Sequence, residues 1–146
     1  MVPERLEREI LIEAPAELVW AVITEPEHVN GWFGDVAEIE PRPGGRLKFG
    51  WQENDYTAYG RVERVEPPHY FSFRWNRGSG TEVREDDSTL VEFSLREEGG
   101  STRLTVVESG FRDVTWPEDE KERDAEDHRE GWERELGELV EYVGRL

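Results

Sequence analysis

Asp119 to Leu146 reads DEKERDAEDHREGWERELGELVEYVGRL, and the spacing of its apolar groups decides the fold. Ala125, His128, Trp132, Leu136, Leu139, Val140, Val143 and Leu146 fall at helical three- and four-residue steps, one stripe along an α-helix. Nearly everything between them is Asp, Glu, Lys or Arg, so the opposite face belongs to water. A long helix this lopsided has to lie on an apolar surface, and the preceding chain supplies one.

Upstream of it the hydrophobic period is two. Leu6, Arg8, Ile10 and Ile12 share one face of a first strand, and Ala14-Pro15 stops it. Pro15 suits the first turn of a helix carrying Leu18, Val19, Val22 and Ile23, and Pro26 opens a second short helix to about Asn30. Strands are then predicted over Val36–Glu40, Arg46–Trp51, Tyr56–Glu66, His69–Asn76, Thr89–Arg96 and Thr102–Ser109. Gly44-Gly45 and Gly99-Gly100 read as hairpin turns, and residues 76–87 as the longest loop. Successive short turns favour antiparallel neighbours. The order, one strand, two short helices, six strands and a long helix, is that of a single α+β domain over residues 1–146.

Composition narrows the function. The net charge is −17, from 35 acidic and 18 basic residues, a surface that repels phosphate backbones and anionic lipid. Nucleic acid is therefore excluded as a partner. The acid excess fits a salty cytoplasm, where screening weakens self-repulsion, and having only two lysines, Lys48 and Lys121, fits a salt-adapted or a GC-rich source. Without cysteine there is no disulfide, thiolate metal site or cysteine nucleophile. No apolar run approaches the ~18 residues that span a bilayer, and no signal-peptide core precedes a cleavage site. A cytoplasmic protein with no membrane insertion is expected.

Several segments, in order, resemble the activator of heat-shock-protein-90 ATPase homologue-like family. They are Val19-Trp20 through Trp32-Phe33, Arg42-Pro43-Gly44-Gly45-Arg46, Gly60 to Pro68, and Phe71-Ser72-Phe73-Arg74-Trp75. Ser88-Thr89-Leu90-Val91, Thr102 to Phe111, and Gly131-Trp132 with Leu136 and Leu139 complete the set. The resemblance implies the START-like, polyketide-cyclase-like (SRPBCC) superfamily. Its helix-grip fold is a bent antiparallel sheet of about seven strands wrapped around the C-terminal helix, with a cavity between them. Carriers, receptors, cyclases and chaperone activators share that fold, so activity has to come from the site.

The expected cavity lining is Trp32, Phe33, Phe49, Trp51, Tyr59, Phe73, Trp75, Phe93, Glu108, His128, Trp132 and Leu136. Glu108 shares a strand face with Leu104 and Val106, so a regular strand would turn its carboxylate inward, with Arg61 or Arg74 as the candidate counter-charge. His128 lies one helical turn before Trp132 on the apolar stripe. His28 has helical spacing from Glu25, half of a metal site with no second half, and His69 reads as a turn residue. No catalytic residue, metal ligand or cofactor is assigned. No nucleophile-elbow pattern accompanies a Ser-His-Asp order, and neither glycine pair precedes a helix as a phosphate cradle must. The expected function is non-catalytic binding of a small hydrophobic, lipid- or polyketide-like molecule. Two alternatives are a chaperone-ATPase co-regulator with a protein partner, and a cyclase- or hydratase-type enzyme using Glu108 or His128.

Overall fold

The computed structural model describes residues 2–76 and 82–146. The chain runs β1 (Arg5–Ile12), α1 (Ala16–Thr24), α2 (Pro26–Val29), β2 (Val36–Ile39), β3 (Arg46–Trp51), β4 (Tyr56–Glu66), β5 (Tyr70–Asn76), β6 (Ser88–Glu98), β7 (Ser101–Ser109) and α3 (Glu118–Gly144). The seven strands form one antiparallel sheet in the order β1-β7-β6-β5-β4-β3-β2. The first strand thus pairs with the last, Leu6 opposite Glu108 and Ile12 opposite Thr102, while the other strands follow as hairpin neighbours. A register shift between Val62 and Arg64 in β4 marks a bulge, which sharpens local twist.

Alternation sorts the sheet into two faces. On β7, Thr102, Leu104, Val106 and Glu108 are buried while Arg103, Thr105 and Val107 are only partly covered. Phe71, Phe73, Val91 and Phe93 extend the same inner face across β5 and β6. α1 packs on the β6–β7 end of the sheet, and α3 lies against the sheet along β1. Ala125, Trp132, Leu136, Leu139 and Val143 of α3 point into the shared core. Leu139 is wholly buried, so truncating it to alanine would cost about 2–5 kcal/mol.

The periodicity is reproduced except at its edges. Val140 and Leu146 are 43% and 57% exposed, against the expectation that both belong to the buried stripe. Val140 is one residue, about 100° of helix, past Leu139 and so swings off the sheet side. Leu146 lies beyond the last turn of α3. In the long loop Glu85–Asp87 forms a single 3₁₀ turn, and residues 77–81 of that loop lie outside the described residues. No helix among the described residues is long and apolar enough to cross a membrane.

Candidate functional site

Because β7 stays regular to its last residue, Glu108 projects inward and is fully buried, where an unsatisfied carboxylate would be costly. Among the described residues four groups converge on it. The Trp75 indole N–H and the Thr89 hydroxyl donate to Oε2, at 2.8 and 2.6 Å. The Trp132 indole N–H donates to Oε1 at 2.8 Å, and His128 Nδ1 lies 2.8 Å from the same oxygen. Such a donor set suits an ionised, acceptor-only carboxylate. Its members come from β5, β6 and α3, so one carboxylate ties the helix to three strands. Trp75 and Thr89 are direct partners across the β5–β6 ladder, and His128 and Trp132 are one turn apart on α3.

Rings close over this network. Phe33, just past α2, stacks on both Trp75 and Trp132, with centroids 6.0 and 5.5 Å apart. Gly34 takes the left-handed φ of +74° that turns the chain away, and a Cβ there would come within 2.7 Å of the Gly50 carbonyl oxygen. Phe49, Phe73, Phe93 and Trp132 interlock beneath, which fills the centre of the sheet–helix interface. The free space lies beside that packing. It is an open cleft of about 480 Å³ between α3 and the β3–β5 end of the sheet. Phe33, Trp51, Tyr56, Ala58 and Trp75 form one side, and Asp124, Asp127, His128, Glu130, Gly131, Trp132, Arg134 and Glu135 of α3 form the other.

Two groups on the α3 wall carry chemistry. His128 is 18% exposed in its side chain, and its Nε2 lies 3.9 Å from Asp124 Oδ1. The imidazole is therefore set between a buried carboxylate and one that lines the cleft. Glu135 is 9% exposed, and its carboxyl is pushed above the usual carboxylate range. Burial is the main cause, opposed chiefly by the charge of Arg134 at 3.5 Å.

The sequence model of the family described as activator of Hsp90 ATPase homolog 1-like protein matches residues 13–144. The chain belongs to that family. Members of the activator of Hsp90 ATPase homolog 1-like family share the helix-grip architecture found here. Protein MLL2253 of Mesorhizobium loti superposes with a TM-score of 0.80 at 22% identity, covering 97% of each chain. CalU16 of Micromonospora echinospora gives 0.70 at 26% identity, over 95% of this chain and 75% of its own. The Aha1 dimer of Colwellia psychrerythraea gives 0.76 at 16% identity, over 95% of both. No curated protein matches in sequence.

Of the residues named as candidate cavity lining, Phe33, Trp51, Trp75, His128 and Trp132 border this cleft. Phe49, Phe73, Phe93 and Leu136 are instead packed in the core below it. The Trp32 indole turns away to donate to the Val22 carbonyl at 2.9 Å. Tyr59 alternates opposite to the buried Ala58 and Gly60, with Lys48 Nζ 6.0 Å from its ring on the outer face. Glu108 lies behind the wall. The proposed counter-charges are elsewhere: Arg61 pairs with Glu63 at 3.1 Å, and Arg74 reaches Glu63 and Ser88. His28 Nδ1 meets the Tyr142 hydroxyl at 2.8 Å, and among the described residues no three His, Asp or Glu gather as a metal site. Tyr56, Asp124 and Glu135 also line the cleft, although they are not among the candidate lining residues named from the sequence. Their helical or strand phase relative to Trp132 and Ala58 was the available signal.

Proposed function

We propose that this protein binds a small, largely apolar molecule in the cleft between α3 and the β3–β5 end of the sheet, as a carrier or sensor rather than a catalyst. The observation that carries the reading is the cleft itself. A space of about 480 Å³ walled by the Phe33, Trp51, Tyr56 and Trp75 rings falls in the range of ligand sites, roughly 300–1,000 Å³. Of these rings Trp51 is half-buried and Tyr56 exposed, and both gain from being covered by a flat apolar partner. The non-catalytic part rests on Glu108, both of whose oxygens are engaged by donors of the protein's own interior. Titration with a panel of lipids, polyketides and flavonoids, followed by tryptophan fluorescence, tests the reading. Saturable quenching supports it, and a flat response across the panel overturns it.

One second reading has an observation of its own. His128 lines the cleft with Nδ1 against a buried carboxylate, the arrangement that orients an imidazole for proton transfer. For a cyclase- or hydratase-type enzyme, His128→Ala would abolish turnover while leaving ligand quenching in place.

A further inference from the structure

Two clefts flank α3 at Trp132, and their charge balances differ. The second, of about 260 Å³, is lined by Arg5, Arg8 and Arg129 with Glu7 as its acid. The aromatic cleft has Asp124, Asp127, Glu130 and Glu135 against Arg134 and His128. A uniformly acidic surface would make both clefts acidic, so the helix sorts charge between its two flanks. The arginine-lined cleft is largely neutralised by its own pairs, Arg5 with Glu7, Arg8 with Glu133 and Arg129 with Glu126. In the aromatic cleft carboxylates outnumber cations at the rim of a ring-lined floor. Glu135 is nearly buried there, its neighbour Arg134 remaining 63% exposed.

We propose that the ligand of the aromatic cleft is a cationic one: an amine carried on a flat apolar body, the rings taking the body and the Glu135 side of the cleft the ammonium. This inference rests on the ligand-binding reading above and names its ligand class. Ring faces attract cations through their quadrupole, Trp most strongly, and carboxylates at the rim add direct charge complementarity. Trp51 joins the two elements, since its ring stacks on Tyr56 at 5.8 Å while it lines the cleft together with Glu135. An ammonium near Glu135 would add a second positive charge beside that of Arg134, whose Nε lies 3.5 Å from the carboxylate on a largely exposed side chain.

The test is calorimetric titration with three matched probes, naphthylethylamine, naphthylethanol and naphthylacetate, at about 0.15 M salt, where charges beyond ~8 Å are largely screened. The amine is expected to bind about tenfold more tightly than the alcohol, with the acid weakest. Glu135→Gln should bring the amine to the level of the alcohol. The doubly substituted Asp127→Asn, Glu130→Gln protein, altered at the rim of the cleft, should lower the amine's preference severalfold if Glu135→Gln does not fold. Glu17→Gln, on the exposed side of α1, should change nothing. Equal binding of amine and alcohol by the unaltered protein would overturn the cation while sparing the ligand-binding reading. No binding of any probe would sink both. An amine preference lowered as much by Glu17→Gln as by the cleft variants would assign it to overall acidity and overturn the inference.

Discussion

Glu108 of β7 and His128 of α3 meet across the seam between sheet and helix, Oε1 and Nδ1 2.8 Å apart. The pair is a joint of the fold as much as a feature of the site. Replacing Glu108 with leucine takes the shared acceptor from the Trp132 indole, the Thr89 hydroxyl and His128 Nδ1, and leaves the Trp75 indole only Thr89 Oγ1, at 3.0 Å. A loss of about 3–5 kcal/mol is expected, the scale for breaking a buried charge network from one side. Urea unfolding with retained m-value measures it; a loss under about 1 kcal/mol would show that the network is not structural.

Glu135 should leave a signature in the pH dependence of stability. Its carboxyl is raised from 4.5 by burial. The native state therefore holds a proton that the unfolded chain has released, and this contribution is fully present below pH 4.5 and lost as pH rises through the native value. Glu135→Gln should raise stability relative to the unaltered protein at neutral pH and lose that advantage in acid. Urea midpoints at several pH values measure it, and a pH-independent difference contradicts the assignment.

The opposite sign holds at the β6–β7 hairpin. Glu98 is brought down from 4.5 to about 2 by hydrogen bonds from Arg103 and Arg96. Its contribution is present above pH 4.5 and fades as pH falls toward about 2. Arg103→Ala should return the Glu98 titration toward 4.5, followed by carboxyl carbon NMR; an unmoved titration would assign the shift to another source.

Gly60 stands where β4 runs beside Arg74 of β5. A Cβ there would meet the Arg74 carbonyl oxygen at 2.6 Å and the Leu47 side chain as well. Backbone cannot yield as a flexible side chain can, so Gly60→Ala should destabilise by about 1–3 kcal/mol. A thermal shift scan reads this directly, and an unchanged midpoint would mean that the strand relaxes.

Much of the fold was legible because period two and period 3.6 are written by side chains that must be buried. Trp132, Leu136, Leu139 and Val143 declared α3, and Leu104 with Val106 declared the inward phase that places Glu108. The partners of Glu108 were not legible. Trp75 and Glu108 lie on β5 and β7, strands separated by β6 and far apart in sequence, so neutral indoles rather than Arg61 or Arg74 answer the carboxylate. Glu135 was hidden for a different reason. An acid among acids on a charged helix reads as solvated, yet Glu135 is buried where α3 and Trp51 of β3 wall the same cleft. The aromatic residues could be named as inward, but which of them are core and which are wall depends on how Phe33 wedges between Trp75 and Trp132.

The most direct test of the cleft is a proton–nitrogen NMR spectrum of the indole N–H groups, recorded while the protein is titrated with a naphthalene-sized apolar ligand. Trp51 and Trp75 should shift progressively to saturation, while Trp32, bonded to the Val22 carbonyl away from the cleft, stays in place. Saturable shifts confined to Trp32, or no shift in any indole, would contradict a ligand site between α3 and the β3–β5 end of the sheet.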